Sequence, residues 1–151
     1  MYPEELIAPM RAELTNVGFQ EFRTAEQVAE HLGENHQGTT LVVVNSVCGC
    51  AAGAARPGVR YALDNASKKP NTLATVFAGN DVSAVNKFRE AVLPYPPSSP
   101  AMALFKDGEL VHFLERHHND RFLTLMEKYM PQWKFYKEEL NRLPVSHGEW
   151  S

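Results

Sequence analysis

The sequence predicts an α/β fold, a mixed β-sheet flanked by helices on both faces with an N-terminal helical extension. Three observations predict it. Two short apolar runs, residues 40–45 and 72–78, have the length and β-branched content of strands buried on both faces. A helix-like stretch separates them, and another follows the second run, as in strand–helix–strand units. Further on, residues 101–106 and 109–115 read as two strands joined by Asp107-Gly108, a strong hairpin signal.

The elements follow in order. From about Pro3 to Asn16, the residues Leu6, Met10, Leu14 and Val17 recur at helical spacing, and Gly18 ends the helix. Residues 19–23 alternate apolar and polar, as a short strand does. Thr24 caps a second helix running to about Leu32, and Gln27 three residues on completes a capping box. Residues 33–39 read as loop, and residues 40–45 as the first buried strand. After the segment Ser46-Val47-Cys48-Gly49-Cys50, residues 51–56 are small and helix-like. Pro57 lacks an N–H and crowds the carbonyl of Gly53, so a kink is expected there. The second buried strand, a turn at Gly79-Asn80-Asp81 and a helix from Val82 to Val92 come next. Residues 94–100 are too proline-rich for either element and must form an ordered loop. After the hairpin, Asn119 and Asp120 can cap a last helix with Phe122, Leu125, Met126 and Tyr129 on one face, ended by Pro131. Residues 1–131 are thus expected to form one domain, with the tail 132–151, which carries Trp133 and Trp150, packed back on it.

Composition narrows the function. The chain has 151 residues, 15 basic against 18 acidic side chains and a net charge of −3, so no basic field invites nucleic acid or an anionic membrane. The longest apolar stretches are strand-sized and do not suggest a membrane span. The first residues, Met1-Tyr2-Pro3-Glu4-Glu5, lack the basic start and apolar segment of a signal peptide, so a cytoplasmic location is expected.

Only two cysteines are present, Cys48 and Cys50. In a reducing compartment a structural disulfide is not expected, which leaves redox chemistry, metal binding or two inert core thiols. Position favours redox chemistry. Cys48 falls where a strand hands over to a helix, and the unpaired N–H groups and partial positive charge of a helix N-terminus favour a thiolate. Cys48 is therefore expected to titrate below the ordinary value of about 8.5, and Cys50, one step inside the helix, to be more buried. No basic side chain lies between Thr40 and Ala55, so the backbone must supply most of the stabilisation. Helical positions i and i+2 point apart, so a Cys48–Cys50 bridge forms only if the backbone leaves regular geometry, a freedom that Gly49 supplies. Such a bridge would be strained and easily reduced. For metal binding, two thiolates need further ligands, and no histidine lies nearby in sequence.

The strand and Cys48-Gly49-Cys50 together resemble the active-site entry of the thioredoxin superfamily. Ser99-Pro100-Ala101-Met102-Ala103-Leu104-Phe105-Lys106-Asp107-Gly108-Glu109 resembles its cis-proline strand and hairpin. More narrowly, Val44-Asn45-Ser46-Val47-Cys48-Gly49-Cys50-Ala51, with Ala55-Arg56-Pro57 downstream, resembles the bacilliredoxin family over roughly the N-terminal helix to Met130. The resemblance implies a thioredoxin-like fold and a thiol–disulfide oxidoreductase that removes bacillithiol, or a similar small thiol, from mixed disulfides on oxidised cytoplasmic proteins. It implies Cys48 as the attacking thiol, Cys50 as the resolving one, and a Ser99–Pro100 bond in the cis form. Gly49, Ser99, Pro100 and Ala101 are then the candidate substrate contacts. No cofactor beyond the dithiol is expected, with bacillithiol as a possible co-substrate; the partners are S-thiolated or disulfide-containing proteins. A general disulfide isomerase, or a redox sensor or adaptor that binds without turnover, are the alternative functions. The buried aspartate that thioredoxin keeps six residues before its first cysteine is Val42 here.

Other candidates have plainer readings. His112, His117 and His118 are close in sequence, but the strand reading sends them away from a common focus, as solvated or capping side chains. Arg56 is expected either to steer an anionic thiol or to form a surface salt bridge. Met102 is expected to fill core or to line an apolar rim beside Pro100.

Overall fold

Val42, Val43 and Val44 are all buried because side chains alternate along a strand and this strand is covered on both faces. In the computed structural model, which describes residues 1–115, they lie in β2 (Thr39–Asn45), the central strand of a five-stranded sheet. The strand order is β1-β3-β2-β4-β5, with β1 (Gln20–Glu21), β3 (Thr72–Phe77), β4 (Ala101–Lys106) and β5 (Glu109–Glu115). β3 pairs in parallel with both β1 and β2, whereas β4 runs antiparallel to β2 and β5 antiparallel to β4.

Val42 and Val44 join Ala74, Val76, Ala103 and Phe105 in one core, closed by Val28 of α2 (Ala25–Leu32) and by Ala84, Val85 and Phe88 of α4 (Val82–Ala91). Val43 faces the opposite core, with Leu14 of α1 (Glu4–Thr15) and with Val59 and Leu63 of α3 (Arg56–Asn65). Met102 packs against this second core, so it fills interior space. The layering is helices, sheet, helices, as the apolar runs predict.

Local signals held closely. Thr24 Oγ1 accepts from Gln27 N–H while the Gln27 side chain accepts from Thr24 N–H, which is the expected capping box. Asp107 and Gly108 both have positive φ (52° and 81°), and a Cβ on Gly108 would collide with the Gly33 carbonyl, so this turn requires its glycine.

Pro57 behaves differently from the expectation. A π-helical turn, Ala51–Ala55, precedes α3, and Arg56 N–H donates to Ala51 O five residues back. Pro57 then occupies the first turn of α3, where a missing N–H costs little. The widened turn takes up the irregularity that a proline inside a regular helix would impose.

A second departure is a buried charge. Arg11 on α1 forms a two-bond fork on Asp81, with both N···O distances 2.9 Å, and reaches Glu21 at 3.0 Å and Glu4 at 3.3 Å. Its guanidinium lies 4.9 Å from the centre of the Phe77 ring. Asp81, at the start of α4, also accepts from Phe77 N–H. This cluster ties α1 to the β3–α4 turn. The expected final helix, the tail with Trp133 and Trp150, the boundary near residue 131, and His117 and His118 all lie outside the described residues. His112 is exposed on β5. Among the described residues no helix is long and apolar enough to cross a membrane.

Candidate active site

The apolar run of β2 ends in a buried asparagine, and the chain then leaves the sheet for three residues before turning helical at Gly49. Cys48 caps that helix: its carbonyl accepts from Ala51 N–H at 3.1 Å and Ala52 N–H at 3.2 Å. Its sulfur accepts from the same Ala51 N–H at 3.3 Å and from the Ser46 hydroxyl at 3.1 Å. The helix N-terminus thus presents a donor directly to Sγ, as position alone predicts.

β4 supplies the opposite wall. Ala101 pairs with Val44 near the end of β2, which brings the preceding loop alongside Cys48. The Cys48 thiol points toward Ser99 O at 3.9 Å, and the Ser99–Pro100 bond is cis, as the resemblance implies. A second cis bond, Leu93–Pro94, lies at the other end of this loop and was not foreseen. The loop is pinned partway by Tyr95, whose ring stacks on Phe113 of β5 at 4.8 Å.

Sequence-predicted residues are therefore brought together unevenly. Cys48, Ser99, Pro100 and Ala101 share one place. Gly49 is exposed at the start of the helix, with open space where a Cβ would stand. Cys50 lies within the helix at φ −66°, ψ −35°, and the two thiols are not bridged. Contrary to expectation, Cys50 belongs to the same half-buried class as Cys48. One turn of helix hides little surface when its neighbours are glycine and alanine.

Arg56 departs from both expectations. It is neither at the surface nor turned toward an incoming ligand; it is 3% exposed. Its Nε donates to Glu13 at 2.8 Å, and its Nη1 donates at 3.0 Å to both Asn45 Oδ1 and Ser46 O. Asn45 completes the network by donating to Met10 O at 3.0 Å and accepting from Ser46 N–H at 2.9 Å. Sequence reasoning missed Glu13, Asn45 and Ser46. The available signals were a polar residue closing a buried strand and a hydroxyl two residues before the cysteine.

The comparisons with known proteins agree with this geometry. The sequence profile of a family described as "Disulphide isomerase" matches residues 2–128. A protein named Bacilliredoxin from Cytophaga hutchinsonii is 64% identical over 118 residues, covering 78% of this chain and 85% of the relative. Another Bacilliredoxin, from Bacillus cereus, is 55% identical over 116 residues, covering 77% and 80%. The chain belongs to the bacilliredoxin family. Among solved structures, this bacilliredoxin-family chain resembles an oxidoreductase-like protein with a thioredoxin fold at TM-score 0.54 and 15% identity, covering 74% of this chain and 96% of that one. That likeness supports the fold alone, and the family membership makes this a thiol–disulfide redox protein.

Proposed function

We propose that the protein reduces mixed disulfides between small thiols and oxidised cytoplasmic proteins, with Cys48 attacking and Cys50 resolving. The observation that carries this reading is the placement of Cys48 Sγ at a helix N-terminus, 3.9 Å from the Ser99 carbonyl that precedes cis-Pro100. A thiolate held there has donors behind it and an extended backbone segment beside it, on which a client chain can lie.

In the proposed cycle the Cys48 thiolate attacks the small-thiol sulfur of the mixed disulfide. A new S–S bond forms on Cys48, the old bond breaks, and the client leaves as a thiolate. The Cys50 thiolate then displaces the small thiol, leaving a Cys48–Cys50 disulfide that an external thiol reductant returns to the dithiol. Gly49, Ser99, Pro100 and Ala101 are the proposed substrate contacts, and bacillithiol is the proposed small thiol. The family description favours one second reading, isomerisation of client disulfides, in which Cys48 bonds directly to the client.

Turnover of an S-bacillithiolated protein, compared with the same protein S-glutathionylated and with a scrambled-disulfide substrate, separates these readings. Release of bacillithiol at the highest rate is the expected result. Rescue of the scrambled substrate alone would favour isomerisation, and redox-dependent binding without release of either thiol would leave a sensor.

Gly49 gives this cycle a further test. The unbridged state does not need glycine there, because the residue is helical and a Cβ would meet open space. The bridged state does, because thiols at i and i+2 meet only when the backbone departs from the helix. Gly49→Ala should therefore favour the dithiol by about 0.5–1 kcal/mol through helix propensity alone. That raises the reduction potential, making it less negative, by roughly 10–20 mV. Redox titration of the two proteins checks both sign and size.

A further inference from the structure

The proposed cycle uses two sulfurs and leaves a buried hydroxyl against one of them unexplained. Ser46 is 5% exposed, and its Oγ lies 3.1 Å from Cys48 Sγ. Its backbone is held on both sides: N–H donates to Asn45 Oδ1 at 2.9 Å, and the carbonyl accepts from Arg56 Nη1 at 3.0 Å. Arg56 and Asn45 are themselves anchored on α1, through Glu13 and Met10 O. The hydroxyl is thus aimed at the sulfur by a frame spanning α1, the end of β2 and the start of α3.

We propose that Ser46 is a third catalytic side chain of this site, donating its O–H to the Cys48 sulfur to hold it as the attacking thiolate, with Arg56 as the positioning residue that fixes Ser46.

The chemistry follows from what each partner can do. While Cys48 is a thiol, its S–H is directed toward Ser99 O, and Sγ accepts from Ser46 O–H and Ala51 N–H. When the proton leaves, both donors already point at the sulfur, so the anion is stabilised without rearrangement. The hydroxyl supplies a donor where the sequence offers no basic side chain between Thr40 and Ala55. Arg56 and its partner Glu13 are charged groups of this frame, and Cys50 follows Cys48 two residues on. Arg56 donates to the Ser46 carbonyl and is paired with Glu13, so it acts through Ser46 and as a partly neutralised charge.

This inference rests on Cys48 being the attacking thiol, and its test reads ionisation, which does not depend on whether mixed disulfides turn over. In full-length protein carrying Cys50→Ser, Cys48 is the one thiol in the chain, and its alkylation rate is followed across pH. Adding Ser46→Ala should move the midpoint up by about one pH unit and leave the high-pH plateau unchanged. Ser46→Thr, which keeps the hydroxyl, should return the midpoint most of the way. Arg56→Lys keeps the charge and loses the fork, and should shift the midpoint upward by less than Ser46→Ala. Thermal unfolding of each variant identifies any that fail to fold; if Ser46→Ala is one, Ser46→Gly removes the same hydroxyl and takes its place. A profile for the hydroxyl-deleted protein that overlays its parent overturns the proposal. So does a shift with Arg56→Lys but none on removing the hydroxyl, which would assign the effect to charge.

Discussion

Cys48→Ser is expected to lower turnover of a mixed-disulfide substrate by on the order of 10³-fold or more, because a serine hydroxyl is a far weaker nucleophile at neutral pH. The substitution removes little structure. The backbone bonds that start the helix use the residue 48 carbonyl, which serine retains. Cys50→Ser should behave differently: attack continues, but nothing in the chain then displaces the captured thiol. The protein should accumulate with one small thiol bonded to Cys48, visible as added mass on the intact chain and lost on reduction. A trapped adduct on Cys48→Ser, with free turnover on Cys50→Ser, would exchange the two roles.

The largest stability effect is expected far along the chain from the thiols. Arg11→Ala removes the fork on Asp81 and leaves a carboxylate 6% exposed with the Phe77 N–H still donating to it. Breaking one side of a buried pair costs about 3–5 kcal/mol, mostly through the uncompensated charge left behind. Urea unfolding should show this as a large fall in midpoint. Adding Asp81→Asn to Arg11→Ala should cost less than the two single losses summed, since it removes the stranded charge. Strict additivity would mean that the pair is not coupled.

Much of this architecture is legible in the residues themselves, for reasons that differ by element. Four successive apolar side chains, Leu41 to Val44, three of them β-branched, suit a strand covered on both faces, and Asp107-Gly108 fits a tight hairpin because few other residues accept positive φ at both positions. Thr24 and Gln27 announce a helix start because their bonds are local. Buried arginines carry no such mark. Arg56 finds Glu13 across 43 positions and Asn45 across 11, and nothing local distinguishes it from a solvated arginine. Arg11 meets Asp81 across 70. The π turn escapes for a related reason: Pro57 announces an irregularity, but whether the helix bends or widens is settled by what the residues on either side must face. In the candidate site, the cysteines and the proline loop were readable through motif, whereas Ser46 and Asn45 became functional candidates only when their contacts were seen.

The widened turn between the dithiol and Arg56 also sets a rotational phase. A π turn holds one residue more than the regular winding would, and each residue of an α-helix advances the direction of its side chain by about 100°. Cys48 and Cys50 lie before that extra residue and Arg56 at its close, so the azimuth of one group relative to the other includes the offset. The helix therefore works as a spacer with a fixed angular setting. The Cys48 thiol faces the proline loop and the guanidinium turns inward beneath Ser46 because the count between them is what it is, and changing that count by one would rotate either the thiol or its support out of alignment.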